Sequence, residues 1–221
     1  MEYLVPVFAY FSPVFFGLII AFLAASSVFA NKNIRGLGKA LLYYLTLPLI
    51  VLMLIIWLIP SPAPFNIGFV NLLYLTIFLW GWLVMISGVT YLSIRLGANK
   101  NVVYIVVALL ILLTNSTIFY INPFINAWQD EPVMRQGIIG LAVKINPMLT
   151  VASNFFRHDL LRSRETYSLC DIGPYYFYTY ADWFITWIVY IIIGAITITL
   201  AVIKDRRNTN GTNGANSTNN S

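Results

Sequence analysis

His158 followed by Asp159 is the one place where an imidazole and a carboxylate adjoin, the residue types of an acid–base pair. No nucleophile and no second histidine accompany them, so a solvated loop histidine is the better explanation of the pair. A single histidine cannot supply the two axial imidazoles of a membrane b-type haem. Cys170 is the only cysteine, which excludes an intrachain disulfide or a thiolate cluster. Asp130, Glu131, Asp159, Glu165 and Asp171 are acidic but lack the ligand spacing of a calcium loop. Gly36-Leu-Gly38-Lys39 echoes a phosphate loop; its spacing is wrong, position 40 is alanine, and no soluble strand precedes it. The residues therefore predict no enzyme, no metal and no cofactor.

The elements that must position any site are set by composition. The chain has 221 residues, 59% of them hydrophobic and only 10% charged, with a mean hydropathy of +0.78. Soluble domains carry roughly 25% charged residues, so this supply does not build a water-facing surface. Charge is absent from Tyr3 to Asn31, Ala40 to Ile94, Asn101 to Gln129 and Trp183 to Ile203. Deserts of that length belong in hydrocarbon, where helices satisfy their own backbone groups. The predicted class is an all-α integral membrane protein.

About five transmembrane helices are expected, over 5–30, 40–59, 67–94, 101–120 and 183–203. The apolar N-terminus reads as a retained span, because Glu2 replaces the bases of a signal peptide. Pro48 should kink the second span. Residues 122–182 form an outer segment, the only stretch of mixed charge. Within it, Val133–Val143 carries Gly137 and Gly140 and ends at Lys144 and Asn146-Pro147, which reads as a re-entrant or interfacial helix. A second short helix is expected over Pro147–Phe156, and Tyr175–Tyr180 reads as an interfacial aromatic belt. The Asn/Thr/Gly/Ser-rich tail, 208–221, has the composition of a disordered cytoplasmic segment.

Orientation follows from the bases. Arg95-Leu-Gly-Ala-Asn-Lys100 is a polar turn with two positive charges and no negative one, which places it in the cytoplasm. Lys32, Arg35, Lys39, Lys204, Arg206 and Arg207 then fall on the same side, opposed only by Asp205. The outer side carries more acids than bases. The N-terminus is predicted outside and the C-terminus inside. The formal net charge of +5 is thus a topology signal, and no nucleic-acid partner is expected.

Polar residues at membrane depth are the candidate contacts of a site: Ser87 near the inner end of the third span, Thr114 and Asn115 near the outer end of the fourth. Such residues serve either as hydrogen-bonded glue between helices or as substrate contacts. No carboxylate lies inside a predicted span, which argues against a proton relay or an ion-coupled pump.

Three stretches carry a resemblance. They are the basic turn ending in Gly38-Lys39, the run Gly88-Val-Thr-Tyr-Leu-Ser-Ile-Arg-Leu-Gly-Ala-Asn-Lys100, and Asn146-Pro147 in an outer segment of short helices. Over about 16–207 the chain resembles the membrane (permease) subunit of an ABC transporter of the ABC-2 type, in a partial match lacking the family's first span. The resemblance implies a separate ATPase subunit, further membrane chains and a bacterial cytoplasmic membrane. It implies that the turn Asn31–Lys39 touches the ATPase, through Lys32, Arg35 and Lys39. The acidic residue and Gly-Thr usual in that loop are absent. The alternative is a non-catalytic accessory or scaffold subunit of a larger respiratory or photosynthetic complex, which the 16% aromatic content suits.

Overall fold

A computed structural model describes residues 69–155, 157, 159–162, 172 and 176–217, together with Thr46 and Ile50. The spans expected over 5–30 and 40–59 and the turn carrying Lys32, Arg35 and Lys39 lie outside the described residues. Every described element is helical: α1 (Phe69–Arg95), α2 (Lys100–Asn115), α3 (Thr117–Tyr120), α4 (Asn122–Ala127), α5 (Pro132–Ile145), α6 (Pro147–Phe155), a 3-10 turn (Leu160–Arg162) and α7 (Trp183–Ser217).

Two of these are long and apolar enough to cross a membrane, α1 and the Trp183–Asp205 part of α7. The count becomes three if α5 and α6, bent by 74° at their junction, form one broken span. The third expected span corresponds to α1. The fourth, 101–120, is interrupted. Its first helix has 16 residues, about 24 Å at 1.5 Å per residue, short of a hydrocarbon core of about 30 Å. Two side chains bond back at the break. Thr114 Oγ1 donates to Leu110 O at 2.9 Å and Asn115 Nδ2 to Ile111 O at 2.9 Å. Side chains that bond back to the preceding turn compete with continued helix.

The turn between α1 and α2 is encoded locally. Gly97 adopts φ 90°, and the amides of Gly97 and Ala98 reach back to Ile94 O and Ser93 O. This pair of bonds closes the helix C-terminus around a left-handed residue, a conformation that glycine adopts without a Cβ penalty. Asn99 then caps α2, accepting from Val102 N at 2.9 Å. On α2 a single stripe at four-residue spacing, Val103, Val107, Ile111 and Asn115, faces inward, while Ile105, Leu109 and Leu113 remain exposed.

The main scaffold is a parallel pair, α1 against α7. Tyr74 stacks on Trp183 near the start of both helices, with centroids 5.0 Å apart, and Arg95 Nη1 meets Asp205 Oδ1 at 2.7 Å near the other end. Between them the backbones touch. A Cβ on Gly88 would collide with Thr197 Oγ1 and lie 2.8 Å from Gly194 O; one on Gly194 would lie 3.1 Å from the Val84 carbonyl. Such approach without a large side chain between is how helices gain dispersion contact in lipid. Phe78, Trp82 and Ile86 of α1 join Val107 and Ile111 of α2, Phe155 of α6 and Tyr190 of α7 in one core. Trp82 is buried and Trp80 packs against this core, as expected for tryptophans far from an interface. Most of the apolar side chains on the remaining faces of α7, from Phe184 to Ile203, are exposed, as a lipid-facing surface requires. The helix runs on to Ser217 through the stretch whose composition favours disorder; extending a formed helix costs far less than nucleating one.

The short helices between α2 and α7 have their own core, built from Ile125, Ile139, Val143, Leu149, Leu160 and Leu161. A strap without regular secondary structure, 176–182, crosses it. Tyr176, Tyr178 and Tyr180 pack against that core, whereas Phe177 is 88% exposed. Alternate rings of the expected belt thus pack against this core.

Candidate functional site

Two helices are interrupted in this structure, and the interruptions meet. α2 ends at Asn115, and α5 turns into α6 at Asn146. Asn146 is fully buried. Its Nδ2 donates to Asn115 O at 2.9 Å and to Thr117 Oγ1 at 2.9 Å, while its Oδ1 accepts from Leu149 N at 3.1 Å. Its carbonyl accepts from the amide and the hydroxyl of Thr150, both at 3.1 Å. One side chain thus caps α6 and bolts it to the end of α2. The local reason is Pro147: it lacks an amide proton, is tolerated at the first helical position, and pushes Asn146 into extended backbone (ψ 109°).

Several of the carbonyls freed by the two breaks find side-chain donors. Thr117 Oγ1 donates to Ala142 O at 3.0 Å, Tyr120 OH to Leu113 O at 2.7 Å, and Tyr190 OH to Ile145 O at 3.3 Å. In a chain that folds in lipid this is required, since water is not there to substitute. One atom escapes the scheme. Asn115 is 3% exposed, and its Oδ1 has no hydrogen-bond partner.

Of the expected polar contacts, Thr114 spends its hydroxyl on its own helix, on Leu110 O and Ile111 O. Asn115 sits at the junction. Ser87 is buried on α1 with its Oγ unpartnered, and no bond links it to Thr114 or Asn115. The residues that complete the junction, Asn146, Thr117 and Thr150, were not legible as contacts. The Asn146-Pro147 pair signalled a helix stop, and nothing local signals which distant carbonyl a stop will serve.

His158 lies outside the described residues. Asp159 is held in a clasp: Tyr178 OH donates to its two carboxylate oxygens at 2.8 and 2.9 Å, Tyr180 OH donates to Oδ1, and Arg162 Nε lies 3.8 Å from Oδ2. The clasp ties the turn at 159–162 to the strap, which also receives Gln136 Nε2 on Phe177 O at 2.7 Å and Asn154 Nδ2 on Ala181 O at 2.9 Å. Burial, then the bond to Asp159, pushes the Tyr178 phenol up to about 12; burial, followed by the same partner, raises Tyr180. A phenol whose folded pKa exceeds its ordinary 10.0 adds stability that is complete below pH 10 and lost as pH climbs toward 12. The clasp is expected to open in that window. An Asp159→Asn variant should titrate Tyr178 nearer pH 10, read from labelled tyrosine ring-carbon NMR shifts. An unchanged Tyr178 midpoint would show that the carboxylate plays no part.

A cleft of about 380 Å³ beside α1, lined by Thr46, Thr76, Ile77 and Trp80, is nearly all apolar. Thr76 there bonds its own helix, at Leu72 O. Among the described residues no three His, Cys, Asp or Glu side chains gather as a metal site. Comparison with protein-family models, characterised proteins and solved structures returned no match.

Proposed function

We propose that the chain is a permease-like membrane subunit of an ABC-type transport complex, driven by a separate ATPase. The observation that carries this reading is the outer piece between α2 and α7. It consists of short helices with a 74° bend at Asn146, in the place where the resemblance puts such helices, between the last two spans. The parallel run of α1 and α7 supports the threading, since an outward-to-inward third span and an outward-to-inward fifth span run the same way. The ion pair of Arg95 with Asp205 brings together two residues that the charge rule assigns to one side.

In this reading the chain sits in a bacterial cytoplasmic membrane with five spans, its N-terminus outside and its C-terminus inside. The α5–α6 bend is re-entrant. The turn 31–39 receives force from the ATPase through Lys32, Arg35 and Lys39, and that force alternately exposes a helix interface shared with another membrane chain.

Purification from native membranes should bring down an ATP-binding subunit. A Lys32→Ala, Arg35→Ala, Lys39→Ala triple variant should lose it while still assembling with the membrane partner. Co-purifying redox subunits with no ATPase would instead favour the accessory-subunit reading and end the transport one.

A further inference from the structure

α5 is apolar on both sides. Ile139, Ala142 and Val143 are buried in the core of the short helices. On the opposite face Val133, Met134, Leu141 and Ile145 are exposed, Val133 by 82% and Leu141 by 62%. A helix bathed in water turns polar residues outward. At about 100° per residue, Lys144 falls between Val133 and Gly137 on this face. Lys144 is exposed, and it has no ion-pair or hydrogen-bond partner among the described residues. From Pro132 to Ile145 the helix carries no acid.

The ends of α5 and α6 fix the depth of this face. Ile145 O accepts from Tyr190 OH at 3.3 Å, and Tyr190 lies at most about 10 Å along α7 from Trp183. From there α6 returns beside α7 to Trp183, where Phe155 meets it with ring centroids 6.0 Å apart. α5 departs from α6 at 74°. Over its 14 residues, about 21 Å, it therefore shifts only about 6 Å along the α6 axis. With α7 across the bilayer, α5 lies near the membrane plane, at the depth where headgroups give way to acyl chains.

We infer that this face of α5 is a lipid-binding surface: Val133, Met134, Leu141 and Ile145 contact acyl chains, and Lys144 Nζ binds the phosphate of a phospholipid headgroup. A lone cation on an apolar face at that depth needs a counter-charge. The lysine stem lies along apolar surface and lifts the ammonium toward the headgroups. One phospholipid then supplies both the anion and the chains. A second copy docked through the same face brings no carboxylate to the lysine. The inference goes beyond the transport reading and needs from it only that α7 crosses the bilayer. It is measured on the purified full chain, so a failed search for an ATPase leaves its outcome standing.

The first test places nitroxide labels at Leu141→Cys and, as a reference, Ile192→Cys on the exposed side of α7. Cys170, the only other cysteine, is replaced by serine, and the chain is reconstituted in phosphatidylglycerol vesicles. Both labels should collide with oxygen, which concentrates among acyl chains, more than with a water-soluble nickel chelate. A label at 141 that meets the chelate while 192 meets oxygen overturns the inference alone. Chelate contact at both removes the span and the inference with it. A label at 141 shielded from both reagents means that protein covers the face, and the lipid surface is refuted. The second test is a melting series in detergent at neutral pH. Dioleoylphosphatidylglycerol should raise the midpoint saturably; dioleoylglycerol, with the same chains and no phosphate, should not, nor should inorganic phosphate. Lys144→Gln should weaken the apparent affinity for phosphatidylglycerol about five-fold, the effect of one basic residue at a membrane surface, and Lys144→Arg should keep it. Equal affinity for the two lipids, or parent-like binding by Lys144→Gln, would remove the phosphate site. A shift with inorganic phosphate would make a free anion the ligand and refute the lipid.

Discussion

An Asn146→Leu variant is expected to lose about 4 kcal/mol of stability, the sum of two buried backbone groups left unpaired and one further hydrogen bond lost, at about 1–3 kcal/mol each. Leucine nearly matches asparagine in shape, so the loss is one of bonding and not of volume. Asn115 O loses its donor, Thr117 Oγ1 loses the proton it accepts, and Leu149 N loses its cap. Thermal or chemical denaturation in detergent measures the total. Hydrogen exchange adds a signature that simple destabilisation lacks, because the Leu149 amide should lose protection before the amides of α1. Asn146→Asp should be no milder: it keeps an acceptor for Leu149 N but removes both donors and places a charge where the asparagine is fully buried. A midpoint shift equivalent to less than about 1 kcal/mol for Asn146→Leu would mean that the two helix breaks are held together by something else.

Gly88→Leu is expected to separate α1 from α7. The obstruction is partly backbone. Even the first added carbon would lie 2.8 Å from Gly194 O and 3.2 Å from Gly194 Cα, and backbone cannot swing aside as a side-chain tip can. Overpacking of this kind costs about 3 kcal/mol, the upper end of the usual range. Cysteines placed at Tyr91 and Ala201, which share a small cluster near the Arg95–Asp205 end, should cross-link in the parent and fail to do so in the variant. Adding Thr197→Ala removes only the hydroxyl collision, so it should restore little. Gly137 and Gly140 supply the control. A Cβ there meets nothing within 4 Å, and each Gly→Ala change should stabilise α5 by roughly 0.5–1 kcal/mol through helix propensity. If Gly88→Leu melts with the parent, the close approach of α1 and α7 is not what holds the scaffold.

These two residues mark where reading the chain ends and folding begins. In the sequence Gly88 stands only in the run 88–100 that carries the resemblance, and nothing local shows which surface it faces. Asn146 was visible as a helix stop before proline, but its service to a carbonyl 31 residues away was not. The fourth span is the instructive difference. Its apolar run is long enough on paper. Thr114 and Asn115 stand out there as polar residues at membrane depth, and in the structure the helix ends at Asn115.

The sequence by itself determined the helical class, the apolar stretches that lipid would accept, the polar turn over Arg95–Lys100 and the stop at Asn146-Pro147. All of these depend on residues within a few positions of one another, so period, capping chemistry and charge spacing suffice to specify them. The tertiary structure alone decided that α1 pairs in parallel with α7 and that Asp159 is clasped by Tyr178 and Tyr180. It also decided that two helix breaks share one buried asparagine. Each of those joins residues far apart in the chain. They meet because close helix approach and the burial of polar groups are satisfied only by surfaces that the fold has already brought together.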